Sequence, residues 1–101
     1  MMIERNEFHI KFGKIKEAMA IWNEIFAIFK DEKDAPKIRM MTDLTGHAYT
    51  LVLEMELRDF IHIGFKNYKW MTNTKVAELY QKFVPLCENS FRTLYNIEYA
   101  N

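Results

Sequence analysis

The chain has 101 residues, 14 basic against 14 acidic side chains, and is half apolar, with eight Phe, five Tyr and two Trp. That length suits a single domain spanning residues 1–101 around one core and is too short for two independent cores. With no net charge there is no general field to draw in phosphate backbones or anionic lipid, so neither nucleic acid nor a membrane is an expected partner. The lone Cys87 cannot close an internal disulfide, and no Cys/His spacing matches a zinc site, which fits a reducing compartment. Met1 to Glu7 lack the basic-then-apolar order of a signal peptide, and no apolar run reaches the roughly 20 residues of a membrane span, so a cytoplasmic protein is expected.

In chain order, polar and apolar residues alternate from Met2 to Phe12, with Phe8, Ile10 and Phe12 on one side and Glu7, His9 and Lys11 on the other, the period of a half-buried strand ended by Gly13. From Lys14 the spacing changes to steps of three and four through Ile15, Ala18, Met19, Trp22, Ile25, Phe26 and Phe29, which predicts a helix ending near Asp31 to Asp34, before Pro36. Ile21 and Ile28 widen its apolar stripe enough to meet a second helix or subunit. Lys37 to Leu44 and Ala48 to Glu56 predict two strands joined through the turn residues Asp43-Leu44-Thr45-Gly46. A helix is expected over Phe60 to Met71, then a break near Thr72-Asn73-Thr74 and a second helix through Val76, Leu79, Tyr80, Phe83 and Cys87, kinked or ended by Pro85. Phe91 to Tyr99 closes the chain as a strand. The sum is an α+β fold, a ferredoxin-like βαββ(αα)β sandwich with an antiparallel sheet. Helices on one side leave the other sheet face needing a cover.

Strand parity assigns Glu7, His9, Arg39, Met41, Asp43, Thr50, Val52, Glu54 and either Arg92 or Thr93 to that second face. Such a mixture of apolar and placed polar groups suits either the lining of an enclosed cavity or a polar dimer contact. His9 is the candidate for proton transfer, because imidazole changes charge near neutral pH, although a hydrogen-bonded strand histidine is the commoner role. Arg39 with Glu54 could orient a carboxylate or carbonyl, or could simply be a cross-strand pair. His47 and Tyr49 follow the turn glycine, a position where function often sits, while core burial also accounts for Tyr49. His62 fits a solvated helix position. Trp22 falls on the core stripe. Trp70 falls off the Phe60-Ile61-Gly64-Tyr68 side and suits a subunit contact or the rim of a ligand pocket. No metal motif joins His9, His47 and His62, and Cys87 suits inert packing. Three glycines make no phosphate loop, and the single serine, Ser90, offers no nucleophile elbow.

The segments Lys11-Phe12-Gly13-Lys14, Arg39-Met40-Met41-Thr42-Asp43-Leu44-Thr45-Gly46, Tyr49-Thr50-Leu51-Val52-Leu53-Glu54 and Phe83-Val84-Pro85-Leu86 are together similar to NIPSNAP-like members of the dimeric α/β-barrel superfamily. The resemblance spans nearly the whole chain and implies a homodimer whose two sheets meet as a barrel. Relatives in the wider superfamily include antibiotic-biosynthesis-type monooxygenases, associated with an Asn, Trp and His set. No matching motif holds that set here, the nearest residue types being Asn6, Trp70 and His9. Two readings follow. One is a binding or structural module taking a small apolar or aromatic molecule, with Glu54, Tyr49 and Trp70 as ligand-binding residues and no cofactor. The other is a cofactor-independent monooxygenase or isomerase in which His9 moves a proton and Arg39 stabilises charge on a substrate oxygen.

Overall fold

The computed structural model describes residues 1–32, 35–58 and 72–101. Strand β1 (Met2–Ile10) alternates without a break: Met2, Glu4, Asn6, Phe8 and Ile10 are buried, and the residues between them are half-buried. It is two residues shorter than the alternation predicts. Gly13 adopts a φ of 77°, a left-handed conformation that costs glycine nothing, and turns the chain into the helix. Phe12 therefore leaves the strand and stands 82% exposed instead of joining Phe8 and Ile10.

Helix α1 (Ile15–Phe29) buries Ala18, Ile21, Trp22, Ile25 and Phe29. The extra width of its stripe is used within the chain, since Ile28 also packs on the same core. Strands β2 (Ile38–Thr42) and β3 (Thr50–Leu57) pair antiparallel and form the expected hairpin. The second helix, α2 (Thr74–Phe83), starts at the break expected from sequence: the Asn73 side chain accepts hydrogen bonds from the backbone N–H groups of Lys75 and Val76, a standard helix cap. Pro85 ends it in a short 3-10 turn, Val84–Leu86, after which β4 (Cys87–Asn96) begins at once. Cys87 thus opens the last strand, four residues earlier than its aromatic run suggests, and is not on the helix stripe. The expected helix over Phe60 to Met71, with His62 and Trp70, lies outside the described residues.

The sheet order is β2-β3-β1-β4, all neighbours antiparallel, with α1 and α2 on one face. This is the expected ferredoxin-like α+β arrangement. Phe8, Leu51, Leu53 and Met55 from the sheet meet Trp22, Ile25, Val76 and Phe83 from the helices. Rings set the geometry of this layer: Phe83 packs edge-on against both Phe8 (4.9 Å) and Trp22 (5.3 Å), contacts worth about 0.5–1.5 kcal/mol each beyond the area they bury. No helix among the described residues is long and apolar enough to cross a membrane.

Candidate functional site on the outer sheet face

The pleat sends every second side chain to the face opposite the helices. On β1 these are Ile3, Arg5, Glu7 and His9, and the register decides what each meets. Glu54 on β3 lies opposite Arg5 on one side and Arg39 of β2 on the other. Its carboxylate accepts from Arg5 Nη1 at 2.9 Å and from Arg39 Nη2. The Arg39 hydrogen bond, reinforced by the charges of both arginines, holds the Glu54 carboxyl below the usual carboxylate range against the opposing effect of partial burial. Arg5 reaches back to Glu7 (3.8 Å), and Glu7 in turn bonds His9 Nε2 (2.9 Å). An unbroken line of ionic and hydrogen-bonding contacts, Arg39–Glu54–Arg5–Glu7–His9, therefore crosses three strands.

His9 also carries the face's aromatic end. Its ring stacks on His47 with centroids 4.1 Å apart and planes 19° from parallel, and Phe91 from β4 meets it edge-on at 5.4 Å. His47 is brought there by its loop. Thr50 Oγ1 donates to the His47 carbonyl (2.7 Å), and the Thr50 N–H donates to Asp43 Oδ1 (2.9 Å), which closes the loop over the start of β3. Beneath it lies an open cavity of about 270 Å³ lined by Arg5, Glu7, Asp43, His47, Met41 and Val52 among others. Next to this polar line Phe91 and Tyr95 remain half-exposed on β4.

The structure brings His9, Glu54 and Arg39 onto one face and one network, but not onto one point. His9 lies opposite Thr50, and Arg39 lies opposite Glu54, four residues further along β3 and so about 13 Å away along the strand. Arg39 is committed to Glu54. Tyr49 is elsewhere: with a φ of 62° it is the one described non-glycine residue at positive φ, and its ring packs against the core and edge-on to Phe12 (5.1 Å). Asn6 points to the helix side and bonds Glu4 (3.0 Å), so it shares no face with His9. Of the pair Arg92 and Thr93, Thr93 lies opposite Arg5 on the outer face, whereas Arg92 pairs with Asn6 and approaches the buried Glu4 (4.0 Å). Burial pushes the Cys87 thiol up to about 11, partly offset by Lys11, which leaves little thiolate at neutral pH. Among the described residues no three His, Cys, Asp or Glu side chains are placed to hold a metal ion.

Two contacts of this face escape a reading of the sequence. Arg5 sits in an ordinary alternating run, and only the β1–β3 register makes it the partner of Glu54. His47 is visible as a loop histidine, but its contact with a strand residue 38 positions away has no local signal.

No protein-family model matches the sequence, and no curated protein matches it significantly. Solved structures do match in fold. A NIPSNAP domain protein from Burkholderia xenovorans superposes with a TM-score of 0.80 at 16% identity, covering 100% of this chain and 99% of that one. A NIPSNAP family protein from Agrobacterium tumefaciens does so with a TM-score of 0.80 at 13% identity, covering 98% and 88%. SnoaB, a cofactor-independent oxygenase from Streptomyces nogalater, gives a TM-score of 0.71 at 13% identity over 98% and 94%. At these identities the shared property is the fold, which hosts both kinds of protein.

Proposed function

We propose that the chain acts as a cytoplasmic homodimeric binding module whose outer sheet face, covered by a second copy, holds a small apolar or aromatic molecule. The observation that carries this reading is the make-up of that face: a fixed line of five charged or titratable side chains beside Met41, Val52 and the half-exposed Phe91 and Tyr95. Apolar walls around a few pre-positioned polar groups are what a small-molecule site requires. Because the face carries both positive and negative groups, a second copy related by a two-fold axis can pair with it where opposite charges come into register. The likeness in fold to NIPSNAP proteins supports the sheet-and-helix frame that presents this face.

The oxygenase or isomerase reading draws on the likeness to SnoaB. It gains nothing from the geometry, because His9 and Arg39 stand at opposite ends of the network and Arg39 is neutralised by Glu54.

Thermal-shift measurement against planar aromatic and short acyl compounds tests the binding reading. A ligand at a hundredfold its Kd stabilises the native state by about 2.7 kcal/mol, which for a domain this small is a rise in Tm of about 10 °C or more. The reading expects such a rise without turnover of the compound. Turnover that falls on substitution of His9 or Arg39 would replace the module with the enzyme.

A further inference from the structure

We propose that the stacked His9–His47 pair is a proton-operated latch that holds the loop of residues 43–49 against the sheet and releases it in acid. His9 is anchored in β1, whereas His47 is exposed and belongs to the loop. Their rings lie almost face to face at 4.1 Å, so the contact depends on the charge the two imidazoles carry together. Two neutral rings stack favourably. One proton is accommodated, because the Glu7 carboxylate lies 2.9 Å from His9 Nε2.

A second proton places two cations in contact. The charges available to offset them are few. From β1 there is Glu7, which is already shared with Arg5 at 3.8 Å, and Arg5 itself is positive. From the loop there is Asp43, one oxygen of which is taken by the Thr50 N–H. β3 faces His9 with the uncharged Thr50, and β4 with Asn89 and the Phe91 ring, flanked along that strand by the charged Glu88 and Arg92. Repulsion between the rings therefore opposes the stack once both are protonated.

Imidazoles exchange protons between about pH 8 and pH 5. The latch is closed at the upper end of that window and is lost as pH falls through it. The hydrogen bonds from Thr50 keep the loop backbone attached at its base, so release affects the His47 ring and the loop tip around Gly46. Since His47 lines the cavity, release also opens its mouth. That consequence for ligand access rests on the binding function proposed above, whereas the latch does not.

Nuclear magnetic resonance on the full chain without ligand tests the latch directly. Between pH 8 and pH 5 the mutual ring-current shifts of the two imidazoles should vanish, and amide exchange at Gly46 and His47, corrected for its intrinsic pH dependence, should rise about tenfold. His47→Gln, at an exposed position, should show the fast exchange at both pH values, and His9→Gln should do the same. Glu7→Gln, which removes the carboxylate that favours a proton on His9, should move release to lower pH. Ring-current shifts that persist at pH 5, or a His47→Gln protein that keeps the wild-type pH response, would overturn the proposal. Because no ligand is present, neither result bears on whether the cavity binds one.

Discussion

The two faces of β1 are built from the same nine residues and serve opposite ends. On the helix side Met2, Phe8 and Ile10 merge into a dry core with Trp22 and Phe83, and the buried Glu4 is met by Asn6. On the other side Arg5, Glu7 and His9 are wired to one another and to Glu54 while still touching solvent. The difference is one of consequence. A change on the first face alters how much apolar surface the chain buries, and a change on the second alters which charges are left facing each other.

Substitutions can break this contrast, and the core should show the largest effect. Trp22 is completely buried, so Trp22→Ala should cost about 3–5 kcal/mol in urea unfolding at pH 7. Glu54→Gln comes next, at about 2 kcal/mol, because two charge-assisted hydrogen bonds converge on a carboxylate that is mostly shielded. Its pH dependence has a definite sign. The folded-state pKa lies below the ordinary value, so the contribution is present in full above the unfolded carboxyl's titration range and disappears as pH falls through the lower folded value. The gap between wild type and Glu54→Gln should therefore narrow in acid, and a gap that widened would contradict the network.

Arg39→Ala should cost less than about 1 kcal/mol, since the Arg39 side chain is 72% exposed and its ion pair is screened. An Arg39→Ala cost equal to that of Glu54→Gln would mean that the outer face carries stability as the core does. The smallest effect concerns Cys87. With its pKa raised to about 11, the thiol should be alkylated at pH 8 at least about tenfold more slowly in the folded than in the urea-unfolded protein. Equal rates would show that strand β4 does not shelter its first residue.

Much of this architecture was legible because periodicity is local. The alternation of β1 and the three- and four-residue steps of α1 fall within windows of about a dozen residues, and the ends of α2 are set by local chemistry, the Asn73 side-chain cap and the missing N–H of Pro85. What was not legible depends on the register between distant strands or on a single backbone angle. Phe12 fits the alternation but belongs to the turn set by Gly13. Tyr49 fits the strand expected over Ala48 to Glu56 but takes a left-handed conformation that keeps it out of β3, which starts at Thr50, and away from His9. A register shift between His9 and Ile10 against β4 skips Glu88, so parity counted along β4 alone does not say whether Arg92 or Thr93 faces outward. The outer-face membership of His9, Arg39 and Glu54 followed from parity. Their separation along β3 needed the pairing.

The central proposal is that a second copy covers the outer face, and light scattering across a dilution series addresses it most directly, comparing wild type with Phe91→Glu. Phe91 is 56% exposed and adjoins His9, so the substitution should leave the fold intact while placing a charge where the second copy would sit. The expected result is a wild-type mass of twice the 12.2 kDa chain, falling to the single-chain mass for Phe91→Glu at the same concentration. A wild-type chain that stays monomeric at every concentration, or a dimer indifferent to Phe91→Glu, would contradict it.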